Sequence, residues 1–410
     1  MEENKAQELI KVALNSMAIT ESDSSFIIYD LELVNQRLVE LNDAFPLNTL
    51  HGIAIKACPL PAMLKKQAQF GLGAEAASIE EVQIALRSGI TADKIIFDGP
   101  AKTKAEIQFC IDNNIYINMD SFEELHRVNA LLGDNKNFKA GMRLNPALGI
   151  GKIGDTSVAG KKSKFGINID EYSEKVQTAF EEHSWLVGVH VHVGSQGMLL
   201  AELVNGTKKV FDFARELYGL ERFDLGGGLP VVYRDEDPNI SFRDYTAALK
   251  RDVPHLFDGK LKLLTEFGRR VYADTAIAVS NIEYVKDDKQ IVAHLGADMF
   301  LRRVYKPEDW FHKLTVLDHS ANVIPKLKQT YTVAGPLCFG GDFLSREVSL
   351  PKVIEYDLLI IHDVGAYTLS MWSRHCSRFT PKVIGIKNGK VETLKERETI
   401  NQLMAFWGSN

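Results

Sequence analysis

The stretch that decides the fold is residues 51–100, HGIAIKACPLPAMLKKQAQFGLGAEAASIEEVQIALRSGITADKIIFDGP. Short runs of apolar and small residues at 51–57, 73–78 and 95–100 are typical of buried strands. Ile79–Gly89, between the last two runs, has apolar residues at helical spacing and acidic residues in its first turn. This alternation predicts βα units, whose strands lie parallel in one sheet.

The alternation continues along the chain, and Ser121–Leu132 is a second amphipathic helix of the same kind. Eight units over about 240 residues match a closed (β/α)8 TIM-like barrel better than an open doubly wound sheet, which more often has five or six strands. The sequence therefore predicts a barrel. Its remaining strands are expected at Tyr116–Ser121, Lys139–Pro146, Leu186–Ser195, Arg222–Gly228 and Lys262–Arg269.

After about residue 280, helical periodicity largely gives way to short alternating runs. Asn388–Gly389 joins two of these runs, and Asn-Gly between extended segments indicates a β-hairpin. We expect a barrel domain over 30–280 and a mostly antiparallel β domain over 281–410, with residues 1–29 contributing to the latter. The run FIIYD at 26–30 could instead add a strand or helix to the barrel.

Composition excludes several classes of protein. The 410 residues are 45% hydrophobic and 25% charged, as in soluble globular proteins, and no apolar window is long enough to span a membrane. The net charge of -6 and the lack of a basic run argue against nucleic-acid binding. Four scattered cysteines and no signal-peptide pattern lead us to expect a cytoplasmic protein without disulfides or zinc. Its partners would be small molecules or a second copy of the chain.

Polar residues fall where the predicted barrel strands end, and the C-terminal ends of barrel strands form the functional face. Lys56 interrupts an apolar run, where an amine could form a Schiff base with an aldehyde or extend along the rim to water. His190 and His192 would share one face of a strand. Two histidines could bind a metal, but no third ligand stands near them in sequence, so we expect no metal and favour a ring that stacks on a flat cofactor or lies in the core.

Two further predicted strand ends complete the pattern. Asp224 and Leu225 lead into three glycines that would let backbone N–H groups approach a phosphate, although such a turn is often only a tight bend. Glu266 and Arg269 could form a simple ion pair at the last strand. A lysine, a stacking histidine, a phosphate cradle and a carboxylate together fit one ligand, pyridoxal 5′-phosphate (PLP).

The sequence resembles the fold-type III PLP-dependent decarboxylases, the family of the diaminopimelate and ornithine decarboxylases, which have an alanine-racemase-like barrel. The resemblance covers most of the chain. The residues that carry it are Ala54–Ala57, Gly71–Ala74 with Ser78, Lys164–Gly166, His192–Gln196, Gly226–Gly228, Glu266 with Gly268 and Arg269, Gly335–Cys338 with Asp342, and Gly365–Tyr367.

The resemblance implies roles for these residues. Lys56 would hold PLP as an imine, His192 would stack on its ring and Glu266 would pair with the pyridine nitrogen. The phosphate would be held by Ser195, Gly226, Gly227, Gly228 and Arg269. The family also works as a homodimer whose sites each borrow Cys338 and Tyr367 from the partner, with Cys338 as the proton donor to Cα and Tyr367 reaching the phosphate.

The chain departs from the family pattern at three places. Phe267 replaces the usual Pro of an EPGR motif. Phe339 follows Cys338, where these enzymes commonly carry an acidic residue that faces the distal ammonium of the substrate. The segment 369–381 brings in Arg374, His375 and Arg378, which could bind a substrate carboxylate or lie in a solvated loop.

We therefore expect a PLP-dependent α-decarboxylase, a carboxy-lyase, acting on an amino-acid-like substrate. The substrate stays open between a carboxylated or acylated diamino acid such as a siderophore precursor, meso-diaminopimelate, ornithine, lysine and a D-amino acid. A racemase shares the barrel but usually protonates through Tyr and sets Arg against the pyridine nitrogen. A non-catalytic relative would be expected to lose the cofactor contacts that this chain keeps.

Overall fold

The structure is a computed structural model that describes residues 1–135, 137–148, 153–154 and 158–408. The chain divides into two compact units. The barrel unit comprises Leu38–Val232 and Glu236–Arg270, and the β unit comprises Met1–Arg37, Tyr233–Asp235 and Val271–Asn410. The domain limits expected from the sequence, 30–280 and 281–410, stay a prediction.

The strands alternate with helices through the barrel unit, and most of the later strands, which belong to the β unit, follow one another without helices between them. In chain order the strands are β1 (Ser25–Asp30), β2 (Leu50–Ala54), β3 (Gly73–Ala76), β4 (Ile95–Phe97), β5 (Tyr116–Met119), β6 (Ala140–Asn145), β7 (Ile167–Asn168), β8 (Leu186–His190), β9 (Arg222–Asp224), β10 (Lys262–Thr265), β11 (Ala276–Lys286), β12 (Gln290–Ala293), β13 (Leu314–Leu317), β14 (Lys328–Ala334), β15 (Phe343–Pro351), β16 (Leu358–Ile361), β17 (Lys382–Lys387) and β18 (Lys390–Lys395).

Side-chain caps set where several of the helices begin. Ser78, Thr103 and Ser121 each accept a hydrogen bond from a backbone N–H in the first turn of the helix that follows. The helices are α1 (Glu3–Asn15), α2 (Leu31–Ala44), α3 (Pro61–Gln69), α4 (Ile79–Arg87), α5 (Lys104–Asp112), α6 (Phe122–Leu132), α7 (Ile169–Glu182), α8 (Leu200–Ala214), α9 (Phe242–Asp252), α10 (Arg269–Tyr272), α11 (Leu301–Tyr305) and α12 (Ile400–Trp407).

Eight parallel strands close the barrel and confirm the predicted fold. They pair in the order β2, β3, β4, β5, β6, β8, β9 and β10, and β10 pairs with β2 to complete the ring. Buried Leu50, Ile96, Tyr116 and Leu264 form a cluster in this unit.

Most of the barrel strands end earlier than the sequence pattern predicts. β8 ends at His190, so His192 lies on the following loop and the alternation argument that paired the two histidines is wrong. β9 ends at Asp224 because Gly226 has a φ of +61°, which takes the backbone out of the extended region. Polar residues expected on strands therefore lie on the βα loops.

The β unit contains a mostly antiparallel sheet. Its order is β15-β14-β12-β11-β1-β17-β18, with β16 pairing β11 and β13. β1 lies between β11 and β17, so the run 26–30 does not extend the barrel. Phe26, Ile28, Ile277 and Ile384 pack with the buried face of α1 in its core.

The predicted hairpin is confirmed. Lys387 pairs with Lys390 across the turn, and Asn388 and Gly389 have φ values of +52° and +70°, as a type I′ turn requires. Within the described residues, no helix combines the length and the apolar character needed to cross a membrane.

Candidate active site

Lys56 lies just beyond β2, on a single helical turn at Ile55–Ala57. Its side chain is 43% exposed, and Nζ forms an ion pair with Glu75 of β3. Burial raises the pKa of Glu75, and the charge of Lys56 opposes that rise. The amine is thus accessible to a ligand while a buried carboxyl group holds it in place.

Asn118 ties two acidic side chains together inside the barrel. Its Nδ2 donates to Asp98 Oδ1 at 2.9 Å and to Asp224 Oδ2 at 3.1 Å. Burial and the neighbouring Glu266 raise the pKa of Asp224 well above its usual range. Burial also acts to raise the pKa of Asp98, but His190 and Lys56 are among the charges that hold it at about 2.

His190 lies between two carboxylates. Its Nε2 is 3.2 Å from Glu266 Oε2, and its Nδ1 is 3.7 Å from Asp98 Oδ2. The sequence argument that no acidic residue stands near the histidines is therefore wrong in space, because β4, β8 and β10 bring three distant positions to one point.

Glu266 is a buried acid with an unused oxygen. Burial and the nearby charges of Asp98 and Glu75 raise its pKa well above the usual range, and Lys56 opposes this. Oε1 has no hydrogen-bond partner among the described residues. Buried acceptors usually have a hydrogen-bond partner, so Oε1 is suited to accept a hydrogen bond from a ligand.

The glycine turn after β9 contacts His192. The Gly227 N–H donates to His192 Nδ1 at 3.1 Å, which leaves the imidazole proton on Nε2. Burial lowers the pKa of His192 well below its usual range, so the ring is neutral. A Cβ at Gly227 would clash with the carbonyl oxygen of Glu266, so only glycine allows this close approach of the two loops.

Ser195 and Arg269 meet at the same end of the barrel. Arg269 Nε and Nη2 lie 3.4 and 3.5 Å from Ser195 Oγ. The structure therefore brings together, within the barrel unit, a guanidinium and a hydroxyl of the kind that bind phosphate.

The remaining predicted residues lie in the β unit. Cys338 is exposed, and Phe339 stacks on Tyr305 with ring centroids 5.5 Å apart. Arg302 lies over the ring of Tyr367 at 5.4 Å.

Two of the three predicted basic residues have carboxylate partners inside the β unit. Arg374 Nη1 donates to Glu398 at 2.5 Å, and Arg378 Nε donates to fully buried Asp298 at 3.2 Å. His375 is exposed, and its backbone N–H donates to Ser373 Oγ. The alternative of a wholly solvated loop is therefore wrong for the two arginines.

Sequence reasoning missed the acids Glu75, Asp98 and Asp224 as members of the site. Asp98 follows a short apolar strand and Asp224 ends one, which was the signal that identified Lys56 and Glu266, whereas Glu75 lies within β3. It also missed Lys102, whose buried Nζ donates to the carbonyl oxygens of Asp98 and Asn118 and pairs with Glu124 at 2.8 Å.

The family model for the pyridoxal binding domain of pyridoxal-dependent decarboxylases matches residues 31–273. The chain belongs to this decarboxylase family. The family binds pyridoxal phosphate, so the decarboxylase is a PLP-dependent carboxy-lyase that acts on an amino acid.

Relatives of known function cover nearly the whole decarboxylase. The diaminopimelate decarboxylase of Aquifex aeolicus is 26% identical over 404 residues, 96% of this chain and 93% of that protein. That of Methanocaldococcus jannaschii is 31% identical over 86% of this chain and 82% of its own length. The structure of the Helicobacter pylori diaminopimelate decarboxylase complexed with L-lysine has a TM-score of 0.84 at 27% identity, covering 96% of this chain and 98% of that one.

The barrel unit of the decarboxylase fits the cofactor. Glu266 Oε1 is buried and unpartnered among the described residues, as a partner for a pyridinium N–H should be before the cofactor binds. Because there is no room for a Cβ at Gly227, the backbone of the glycine turn lies close to Glu266, where its N–H groups could contact a phosphate. The exposed Lys56 amine and the Ser195–Arg269 pair supply the other two kinds of group that PLP needs.

Proposed function

We propose that this decarboxylase removes CO2 from meso-diaminopimelate. The observation that carries the proposal is the near full-length match to diaminopimelate decarboxylases, in sequence and in fold, together with a barrel interior that fits PLP. Ornithine and lysine are smaller substrates that the same chemistry could process, and they enter the proposal as competitors in its test.

In this proposal the barrel unit binds the cofactor. Lys56 would hold it covalently through Nζ, His192 would lie against its ring, and Glu266 Oε1 would accept the proton of its pyridine nitrogen. The glycine turn, Ser195 and Arg269 would hold its phosphate through backbone N–H groups, a hydroxyl and a guanidinium. When bound, the cofactor stabilises the negative charge left on the substrate Cα as CO2 departs.

The neutral state of His192 suits this role. A cationic imidazole would repel the positively charged pyridinium ring beside it. The hydrogen bond from the Gly227 N–H keeps His192 Nδ1 unprotonated, and burial keeps the ring neutral. Glu266, if ionised, would keep the pyridine nitrogen protonated and so increase electron withdrawal from Cα.

We further propose a homodimer in which Cys338 and Tyr367 of one copy complete the site of the other. Cys338 would move a proton to Cα after CO2 leaves, and the Tyr367 hydroxyl would contact the phosphate. The exposed Cys338 thiol is compatible with this role, and the proposal rests on the family resemblance.

A second candidate substrate is favoured by one observation in the β unit. Phe339 follows Cys338 and stacks on Tyr305, which is itself 63% exposed. An aromatic pair cannot neutralise a distal ammonium as a carboxylate does, but it can pack against an acyl chain. A diamino acid with an acylated or carboxylated distal group, such as a siderophore precursor, is therefore the alternative.

The test is a comparison of kcat/KM, measured by CO2 release, for meso-diaminopimelate, ornithine, lysine and an N-acylated diamino acid. The proposal predicts at least tenfold preference for meso-diaminopimelate. Preference for the acylated compound would replace it with the second candidate. Phe339→Asp should then raise kcat/KM for the free diamines and lower it for the acylated substrate, with Phe343→Asp as the control aromatic substitution in the same unit.

A further inference from the structure

The surroundings of the Glu266 carboxyl group disfavour its ionised form. It is buried, and burial together with other acids favours its neutral form. A neutral carboxyl group could not hold a pyridinium proton, so the proposed role of Glu266 requires something that keeps it ionised. The titratable groups that face it are Lys56, Glu75, Asp98, His190 and Asp224.

His190 lies beside Glu266, and neither of its ring nitrogens forms a hydrogen bond among the described residues. It is fully buried, and its two ring nitrogens face different carboxylates, Glu266 at 3.2 Å and Asp98 at 3.7 Å. An imidazole with a proton on each nitrogen would offset the repulsion between these two carboxylates.

The arrangement divides the two oxygens of Glu266 between two tasks. Oε2 faces His190, and Oε1 is the atom without a hydrogen-bond partner among the described residues. Engagement of Oε2 by His190 would fix the rotation of the carboxylate and leave Oε1 available to a ligand.

Asp98 is itself held on two sides. Asn118 donates to its Oδ1, while Lys102 donates to its backbone oxygen at 2.6 Å and to that of Asn118 at 2.9 Å. The Asp98 carboxylate is thus set in place by β4 and β5 and can in turn orient the imidazole from β8. Such a layered arrangement is how buried polar groups are commonly preorganised.

We propose that His190 is a positioning residue that keeps Glu266 ionised and leaves its Oε1 free for the ring nitrogen of the cofactor, and that Asp98 orients His190 for this role. They act through Glu266 and touch neither substrate nor cofactor. The inference rests on the proposed role of Glu266 and adds the two residues that make this role possible at a buried site.

The test uses holoenzyme loaded with PLP labelled with 15N in the ring, and the readout is the 15N chemical shift, which reports whether the ring nitrogen is protonated. We expect the wild type to show the protonated ring. His190→Gln should move the resonance toward the unprotonated ring and lower kcat at least tenfold. Asp98→Asn should shift the resonance in the same direction but less far, because it also removes a charge that opposes the ionisation of Glu266. His51→Gln is the matched control, since it removes another buried imidazole of the barrel, one whose partner is the Thr265 hydroxyl.

Glu266→Gln tests the proposed role of Glu266 separately from the positioning role of His190 and Asp98. If it moves the resonance but His190→Gln and Asp98→Asn leave the ring protonated, the proposed role of Glu266 stands and the positioning inference is overturned. If Glu266→Gln has no effect, both are overturned. His190→Asn, with a smaller side chain at the same position, provides the deciding result if His190→Gln fails to fold.

Discussion

Lys56 combines exposure with a fixed position, and this makes its removal informative. Lys56→Ala should abolish CO2 release and remove the absorbance of lysine-bound PLP at about 420 nm, because a methyl group cannot form an imine. The fold should survive, since the side chain is 43% exposed. Absorbance, CO2 release and thermal unfolding measure the three effects.

Lys94→Ala is the matched control for that substitution. Lys94 is a lysine of the same unit whose Nζ donates to the backbone oxygen of Gly71 at 2.8 Å. It should leave the absorbance unchanged. Full activity in Lys56→Ala would contradict the assignment of Lys56.

Individual residues show where sequence reasoning succeeds and where it stops. Lys56 could be identified because a charge in an apolar run is costly without a purpose, and Glu266 because it stands at the end of a predicted barrel strand. Asp98 and His190 could not be connected from sequence, since 92 residues and two strands of the barrel, β5 and β6, separate positions that the folded barrel brings within 3.7 Å. Strand order and closure supply that information, and local pattern does not.

Among the elements, β2 and β10 are joined by a buried histidine that makes stability depend on pH. Burial lowers the pKa of His51 to about 4. The unfolded chain, with an ordinary pKa near 6.5, binds a proton first as pH falls. Stability that is fully present above about pH 6.5 is therefore lost toward pH 4, by roughly 3 kcal/mol for this group.

His51→Gln should flatten the dependence of unfolding free energy on pH between 6.5 and 4, measured by urea titration. The slope should not vanish, because burial also lowers the pKa of His362 to about 4 in the β unit. An unchanged slope in His51→Gln would show that this histidine is not buried in its neutral form.

The segment that carries Arg374 and Arg378 is held to other elements of the β unit by buried acids. Asp298 has an unexposed side chain, and Arg378 contacts both its carboxylate and the backbone oxygen of His294. Arg378→Ala should therefore lower stability by about 2 kcal/mol, since it leaves a buried carboxylate with only backbone donors. We expect KM for the preferred substrate to change less than twofold.

The control for that prediction is Arg397→Ala, in the same unit, whose cation–π contact with Phe379 is long at 5.9 Å. Thermal unfolding and steady-state kinetics distinguish the outcomes. A large rise in KM without loss of stability would restore the substrate-binding role that the sequence allowed for Arg378.

At the level of elements, the sequence predicted the barrel strands and the hairpin but missed β15 and α12. β15 has exposed charged residues such as Arg346 and Glu347 in its middle, which breaks the apolar alternation. α12 could have been found, because Thr399 and Gln402 form a capping box ahead of an apolar run.

For the whole molecule, the proposed homodimer makes a quantitative prediction. Lys56→Ala and Cys338→Ala chains, each inactive alone, should recover up to about one quarter of wild-type activity after subunit exchange, because half of the dimers are mixed and one site in each is intact. Native mass spectrometry of differently tagged chains verifies the exchange. Verified exchange without recovered activity would mean that one chain supplies both residues.

The central place of β1 in the β unit has a consequence for how the protein is made. Phe26 pairs with Lys382 of β17, so a strand synthesised among the first residues needs a neighbour that the ribosome adds near the end. At about 5–20 residues per second this delay is on the order of 20–70 s. The barrel strands, which lie between them in sequence, are all translated within that interval. Vectorial synthesis thus allows the barrel to form while the apolar side chains of the nascent β1 still lack their neighbours in β17.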